Sequence, residues 1–127
     1  MKTLPLGRRV AAKTGLLLAR CDAVLCHAGT GTTLAALAAG LPLVLVPQGA
    51  DQFDNARACE RAGVARILLG DQVTPAAVRD AVRTVLQDDS TERAAARTLA
   101  AEIAVMPSAT DVVNELISIT DRSGAAA

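Results

Sequence analysis

Residues 23–47 read AVLCHAGTGTTLAALAAGLPLVLVP. Ala23 to His27 and Leu43 to Val46 are short continuous apolar runs rich in Val and Leu and bounded by Gly and Pro, a pattern that suits strands buried on both faces. Between them, Thr32 to Ala39 holds only small residues and Leu, which predicts a helix ended by Gly40 at C′ with Pro42 beyond it. The alternation continues past Val46. Asp51 is a good N-cap for a helix from Gln52 to Ala62 that stops at Gly63, and Ala65 to Leu69 is a weaker third strand. Strand, helix, strand, helix, strand is the order of a parallel sheet. The expected fold class is therefore α/β, a Rossmann-like parallel sheet with flanking helices.

After Gly70 the pattern is purely helical. Thr74 caps and Pro75 takes N1 of a helix whose Val78, Val82, Val85 and Leu86 share a face. A second helix from about Thr91 carries Ala95, Leu99 and Ile103 at helical spacing and is stopped by Pro107. A third starts at Ser108, with Asp111 at the N3 spacing of a capping box, and runs through Val113, Leu116, Ile117 and Thr120. Residues 1–22 contain one plausible helix, about Val10 to Ala19, and no strand. The expected organisation is an N-terminal segment (1–22), a βαβαβ core (23–70), C-terminal helices (71–122) and a frayed tail (123–127). Doubly wound domains usually carry about five or six strands. Three strands alone predict an incomplete domain with an open apolar sheet edge and a tendency to self-associate.

Composition sets the boundaries on function. The 127 residues are 51% hydrophobic and 20% charged, with mean hydropathy +0.33, which excludes disorder. Thirteen basic and thirteen acidic residues give zero formal net charge, so there is no long-range field to draw nucleic acid or an anionic membrane. Phe53 is the sole aromatic residue, too few rings for a base-stacking platform. Cys21, Cys26 and Cys59 do not make a disulfide framework and read as thiols of a reducing compartment. The stretch from Cys21 to His27 lacks the spacing of haem attachment, and its cysteines are better read as small apolar packing groups than as metal ligands. With no signal core and no membrane-length apolar run, a soluble cytoplasmic protein is expected. Lys2 and Lys13 are the only lysines among the basic residues, and Ala is abundant, a composition that hints at a GC-rich bacterial source.

The chemistry concentrates in His27-Ala28-Gly29-Thr30-Gly31-Thr32-Thr33, where a strand ends and a helix begins. Two glycines let the backbone approach a ligand, and the free N–H groups of the first helical turn favour an anion. Thr30, Thr32 and Thr33 add hydroxyls, and His27 adds an imidazole donor. The stretch is neither a Walker motif nor G-x-G-x-x-G. A second loop, Pro47-Gln48-Gly49-Ala50-Asp51-Gln52, lies at the carboxyl end of the next strand. In open α/β sheets ligands bind outside those ends, so both loops face one crevice. Asp51 and Gln52 supply acceptors and donors suited to sugar hydroxyls, although N-capping alone also accounts for Asp51.

The span from Cys26 to Leu68 resembles the donor-binding signature of GT-B glycosyltransferases, especially the nucleotide-sugar-dependent family 1 enzymes of natural-product pathways. The matching pieces are His27-x-Gly29-x-Gly31-Thr32, the turn Ala36 to Pro42, Pro47-x-x-x-Asp51-Gln52 and Asn55-Ala56; looser similarity extends to about Leu116. The resemblance implies that His27 and the loop from Gly29 to Thr33 (Gly29, Thr30, Gly31, Thr32, Thr33) hold the donor diphosphate, while Asp51 and Gln52 hold the transferred sugar. Three departures stand out. Ala28 replaces a frequent Gly, which is tolerable if the backbone there is extended. Ala35 stands where many members carry a ribose-gripping Glu, which points to a deoxyribose nucleotide such as a dTDP-sugar. The base-stacking Trp-x-Pro-Gln segment is absent from Met1 to Arg20.

The resemblance thus implies the donor-binding part of a glycosyltransferase that moves a hexosyl group from a UDP- or dTDP-sugar to a small-molecule acceptor. It implies no cofactor or metal, and no catalytic residue in this chain, since the base belongs to an acceptor half supplied from an N-terminal domain or a partner chain. The alternative expectation is a non-catalytic nucleotide-sugar-binding or scaffolding subunit that completes a split glycosyltransferase.

Overall fold

The structure, a computed structural model, describes residues 15–125. Three strands, β1 (Val24–Cys26), β2 (Leu43–Leu45) and β3 (Ala65–Ile67), form a parallel sheet in the order β1-β2-β3. The register pairs Val24 with Leu43 and Leu43 with Ala65. Each assigned strand is shorter than its apolar run, although Val46 N still donates to Cys26 O and Leu68 N to Leu45 O just past the strand ends.

The crossover helices are α1 (Thr30–Ala38) and α2 (Gln52–Arg61). Both stop by the same device. Gly40 and Gly63 adopt left-handed φ of 72° and 74°, and their N–H groups donate to Leu37 O and Glu60 O. The next residues, Leu41 and Val64, donate to Ala36 O and Cys59 O and bury their side chains. These are Schellman motifs, and each feeds the chain directly into a strand. α1 begins at Thr30, two residues earlier than its composition suggests, because Gly29 takes the extended N-cap conformation (φ −64°, ψ 139°).

Successive β2 residues point to opposite faces, so its three side chains, all fully buried, divide the core in two. Leu43 and Leu45 pack with Ala36, Leu37, Ala56, Cys59 and Ala96 on the face covered by α1, α2 and α4 (Thr91–Ala104). Val44 packs with Ala81 and Val85 of α3 (Pro75–Leu86) on the other face. The start of α3 follows its sequence signals: Pro75 is at N1 and Thr74 Oγ1 accepts from Ala77 N at 3.1 Å.

α5 (Ala109–Ala125) begins with the expected reciprocal box, Ser108 N donating to Asp111 Oδ2 at 3.0 Å and Asp111 N to Ser108 Oγ at 3.2 Å. It runs through Ser123, so the expected frayed tail is helical as far as Ala125. Its apolar residues, Val112, Val113, Leu116, Ile117 and Ile119, are exposed. The helix expected from Val10 to Ala19 is seen only at its end: residues 15–18 are helical and Leu18 is buried, and the rest lies outside the described residues. No helix among the described residues is long and apolar enough to cross a membrane.

Candidate functional site

Two loops leave the carboxyl ends of β1 and β2 side by side. In the first, His27 is exposed and has no hydrogen-bond partner among the described residues, so it is not held as a structural histidine. Its ring lies over Gly29: a Cβ there would stand 2.5 Å from His27 Nε2. Ala28 is fully buried with φ of 68°. That left-handed angle corrects the expectation of extended backbone, and it explains why Gly suits this position. Gly31 differs from both. A Cβ at Gly31 would meet no protein atom within 4 Å, and its φ is not positive, so neither packing nor backbone conformation demands glycine there.

Thr30, Gly31 and Thr32 occupy the first turn of α1, where N–H groups have no intrahelical acceptor. No acidic residue stands in that turn, and its N-cap, Gly29, has no side chain to cap it. The loop therefore offers several N–H groups, the positive end of the helix dipole and the His27 imidazole to one place. Thr33 is not part of this set. Its N–H donates to Gly29 O at 3.0 Å, and its side chain, 4% exposed, faces the core with Oγ1 unpartnered among the described residues. The expected role of Thr33 in the anion loop is corrected accordingly: the helix begins at Thr30, which makes Thr33 the first residue whose N–H is used internally. An open groove of about 250 Å³ between α1 and α2 adjoins the crevice, sharing Thr30 and Asn55 with it and lined elsewhere mainly by apolar residues such as Leu34, Leu37 and Cys59.

The second loop carries Ala50 at φ of 52° and turns into α2. Asp51 occupies the N-cap position, but with helical backbone angles and no side-chain capping bond to the backbone of the helix, which corrects its reading as the cap. Its Oδ2 instead accepts from Asn55 Nδ2 at 3.4 Å and from Thr30 Oγ1 at 3.5 Å. Gln52 turns back on its own loop, Oε1 accepting from Gln48 N at 2.8 Å and Gly49 N at 3.2 Å. It thereby fixes the loop, and only its amide N–H groups are left for another molecule. Thr30 joins the two loops, accepting from Asn55 Nδ2 at 3.2 Å. The structure thus places Asp51 and Thr30 together across a single crevice. The sequence singled out Asn55 only as a matching residue. Its spacing of four from Asp51, one helical turn, was the available signal for a shared role.

The three cysteines are free. Cys59 is buried, and burial together with the neighbouring Cys26 thiol pushes its pKa up, so it stays a protonated packing group at neutral pH.

Comparison with known proteins identifies the family and the fold. Residues 1–119 match the family described as "Erythromycin biosynthesis protein CIII-like, C-terminal domain". The elloramycin glycosyltransferase ElmGT of Streptomyces olivaceus is 40% identical over 101 residues, 79% of this chain and 24% of that protein. The spinosyn rhamnosyltransferase SpnG, solved with thymidine diphosphate, superposes with a TM-score of 0.73 at 36% identity, over 80% of this chain and 28% of that one. The glycosyltransferase VinC, solved with DTDP, gives 0.77 at 30% identity, over 85% of this chain and 27% of that one. The chain spans less than a third of the length of the proteins it matches. It belongs to the erythromycin biosynthesis protein CIII-like C-terminal domain family, the Rossmann-like C-terminal half of GT-B family 1 glycosyltransferases.

Proposed function

We propose that this chain is the donor-binding part of a bacterial, cytoplasmic natural-product glycosyltransferase that transfers a hexosyl group from a UDP- or dTDP-sugar to a small-molecule acceptor. The observation that carries the reading is the open first turn of α1, with an exposed His27 over Gly29 that has no hydrogen-bond partner among the described residues, and the Asp51 carboxylate on the facing loop. The N–H groups of Thr30, Gly31 and Thr32 and the His27 imidazole bind the diphosphate and offset the charge that grows on it as the glycosidic bond breaks, without a metal. Asp51 and the amide of Gln52 hold the sugar. A carboxylate is a poor neighbour for a diphosphate unless a sugar hydroxyl lies between them and donates to it.

Ala35, on α1, offers no group to a ribose 2′-hydroxyl, which favours a deoxyribose nucleotide; the thymidine nucleotides in the SpnG and VinC structures support the same choice. The general base and the acceptor site come from sequence outside this chain. The isolated chain therefore forms no glycoside from a nucleotide sugar and a phenolic or macrolide acceptor.

Calorimetric titration of dTDP, dTDP-glucose, UDP and UDP-glucose into wild type and Asp51→Ala tests the reading. Loss of one hydrogen bond to a charged group, about 1.5 to 3 kcal/mol, weakens the sugar-bearing ligands about ten- to a hundredfold, while the bare diphosphates bind as before or better. Equal losses for both would remove the sugar role from Asp51.

A further inference from the structure

The Asn55 side chain, on α2, touches both loops. Its Nδ2 stands 3.1 Å from Ala28 O, 3.2 Å from Thr30 Oγ1 and 3.4 Å from Asp51 Oδ2. Two of these three atoms, a carbonyl and a carboxylate oxygen, only accept, so the amide nitrogen, not its oxygen, must face them. Ala28 is the residue at φ 68°, a conformation that persists in a non-glycine residue only where its surroundings hold it. Its carbonyl is held by Asn55. Asp51 Oδ2 is engaged by Asn55 and Thr30, which leaves Oδ1 as the carboxylate oxygen without a protein partner among the described residues.

We propose that Asn55 is a positioning residue: its amide locks the strained Ala28 turn of the His27 loop to the Asp51 carboxylate, so that both loops keep one fixed spacing. That this spacing serves a nucleotide sugar rests on the function proposed above; the lock itself does not. The proposal carries a sign that a solvent-facing helical polar residue would not give. Asn55 lies near the N-terminus of α2, where a carboxylate is ordinarily favoured by the helix dipole. Asn55→Asp has the same shape, yet it sets a carboxylate against a carbonyl and a second carboxylate with no hydrogen to donate.

The test compares wild type, Asn55→Ala and Asn55→Asp as the whole chain, by backbone amide spectra and urea unfolding at pH 7 and pH 5, followed by dTDP and dTDP-glucose titration at pH 7. The expected result is that Asn55→Asp unfolds at lower urea than Asn55→Ala at pH 7, and that the gap narrows at pH 5 as the new carboxyl gains a proton to donate. The amides of Ala28, Gly29 and Thr30 move in both variants, and both bind dTDP-glucose at least tenfold more weakly. Asn55→Asp equal to or more stable than Asn55→Ala at pH 7, or loop amides left unmoved, would overturn the lock. Loop amides that move in the variants, with a wild type that binds no nucleotide, would uphold the lock and remove the donor reading. Wild-type affinity in both variants would leave the donor reading standing and end the positioning role.

Discussion

Ala28 shows how far a single residue can be read before its neighbours are known. Its sequence context permits either extended or left-handed backbone, and the choice is made by tertiary contacts: a fully buried methyl group and a carbonyl turned toward Asn55, 27 residues away. Asp51 is similar. Its place before a helix pointed to a cap, but Thr30 and Asn55 compete for the same carboxylate and win it. His27, Gly29 and Gly31, by contrast, were legible, because a histidine and two glycines at a strand-to-helix turn have a local meaning. For Ala28→Gly, relief of left-handed strain (about 1 to 2 kcal/mol) is opposed by the lost buried methyl group and a freer unfolded chain, so its unfolding free energy stays within about 1 kcal/mol of wild type. Ala28→Val adds volume and branching at the same angle and loses more than about 2 kcal/mol. Urea unfolding of the two variants measures both; equal behaviour would mean that residue 28 is not left-handed in solution.

At the scale of elements, the helix signals were the most legible, since caps and Schellman glycines act within one turn. Thr74, Pro75, Ser108 and Asp111 all do what their positions announce. Strand lengths were less legible because an apolar run does not say where its ladder ends. The start of α4 holds a feature the sequence hid. Glu92, 8% exposed, accepts from Arg66 Nε of β3 at 2.9 Å, Ser90 Oγ at 3.0 Å and Thr91 Oγ1 at 3.2 Å. Burial raises its pKa, but its backbone bond, Ser90, Arg66 and Thr91 together outweigh burial and hold it below its ordinary value of 4.5. A carboxyl held down in the folded state stabilises the fold above its unfolded pKa and loses that contribution as pH falls below about 4.5. Arg66 is half exposed, so its share is discounted for solvent screening. Glu92→Gln is expected to cost about 1 to 2 kcal/mol at pH 7 and to flatten the stability profile below pH 4.5, measured by urea unfolding at several pH values. An unchanged profile would show that the ion pair and the hydroxyl bonds cancel against burial.

For the whole molecule, the parallel sheet was legible in the strand-helix alternation, and the structure adds its order, β1-β2-β3, with consecutive strands joined by single helices lying side by side. What lies against the outer edge of β1 did not follow, since it depends on contacts beyond the three strands. Among the described residues no strand pairs with that edge, and Leu25 on it is 52% exposed. With the exposed apolar residues of α5, this edge leads us to expect the isolated chain to self-associate at micromolar concentration. Sedimentation showing a stable monomer would mean that the edge is covered within the chain.

Whether the open first turn of α1 is a diphosphate site is decided by amide spectra of the chain titrated with dTDP, UDP, thymidine and uridine. Saturable shifts of Gly29, Thr30, Gly31 and Thr32 are expected with the two diphosphates and none with the nucleosides. In His27→Ala the same shifts require about ten- to a hundredfold more ligand, the loss of one hydrogen bond to a charged group. Shifts that appear equally with the nucleosides, that fall elsewhere on the sheet, or that are unchanged in His27→Ala would contradict a diphosphate site there.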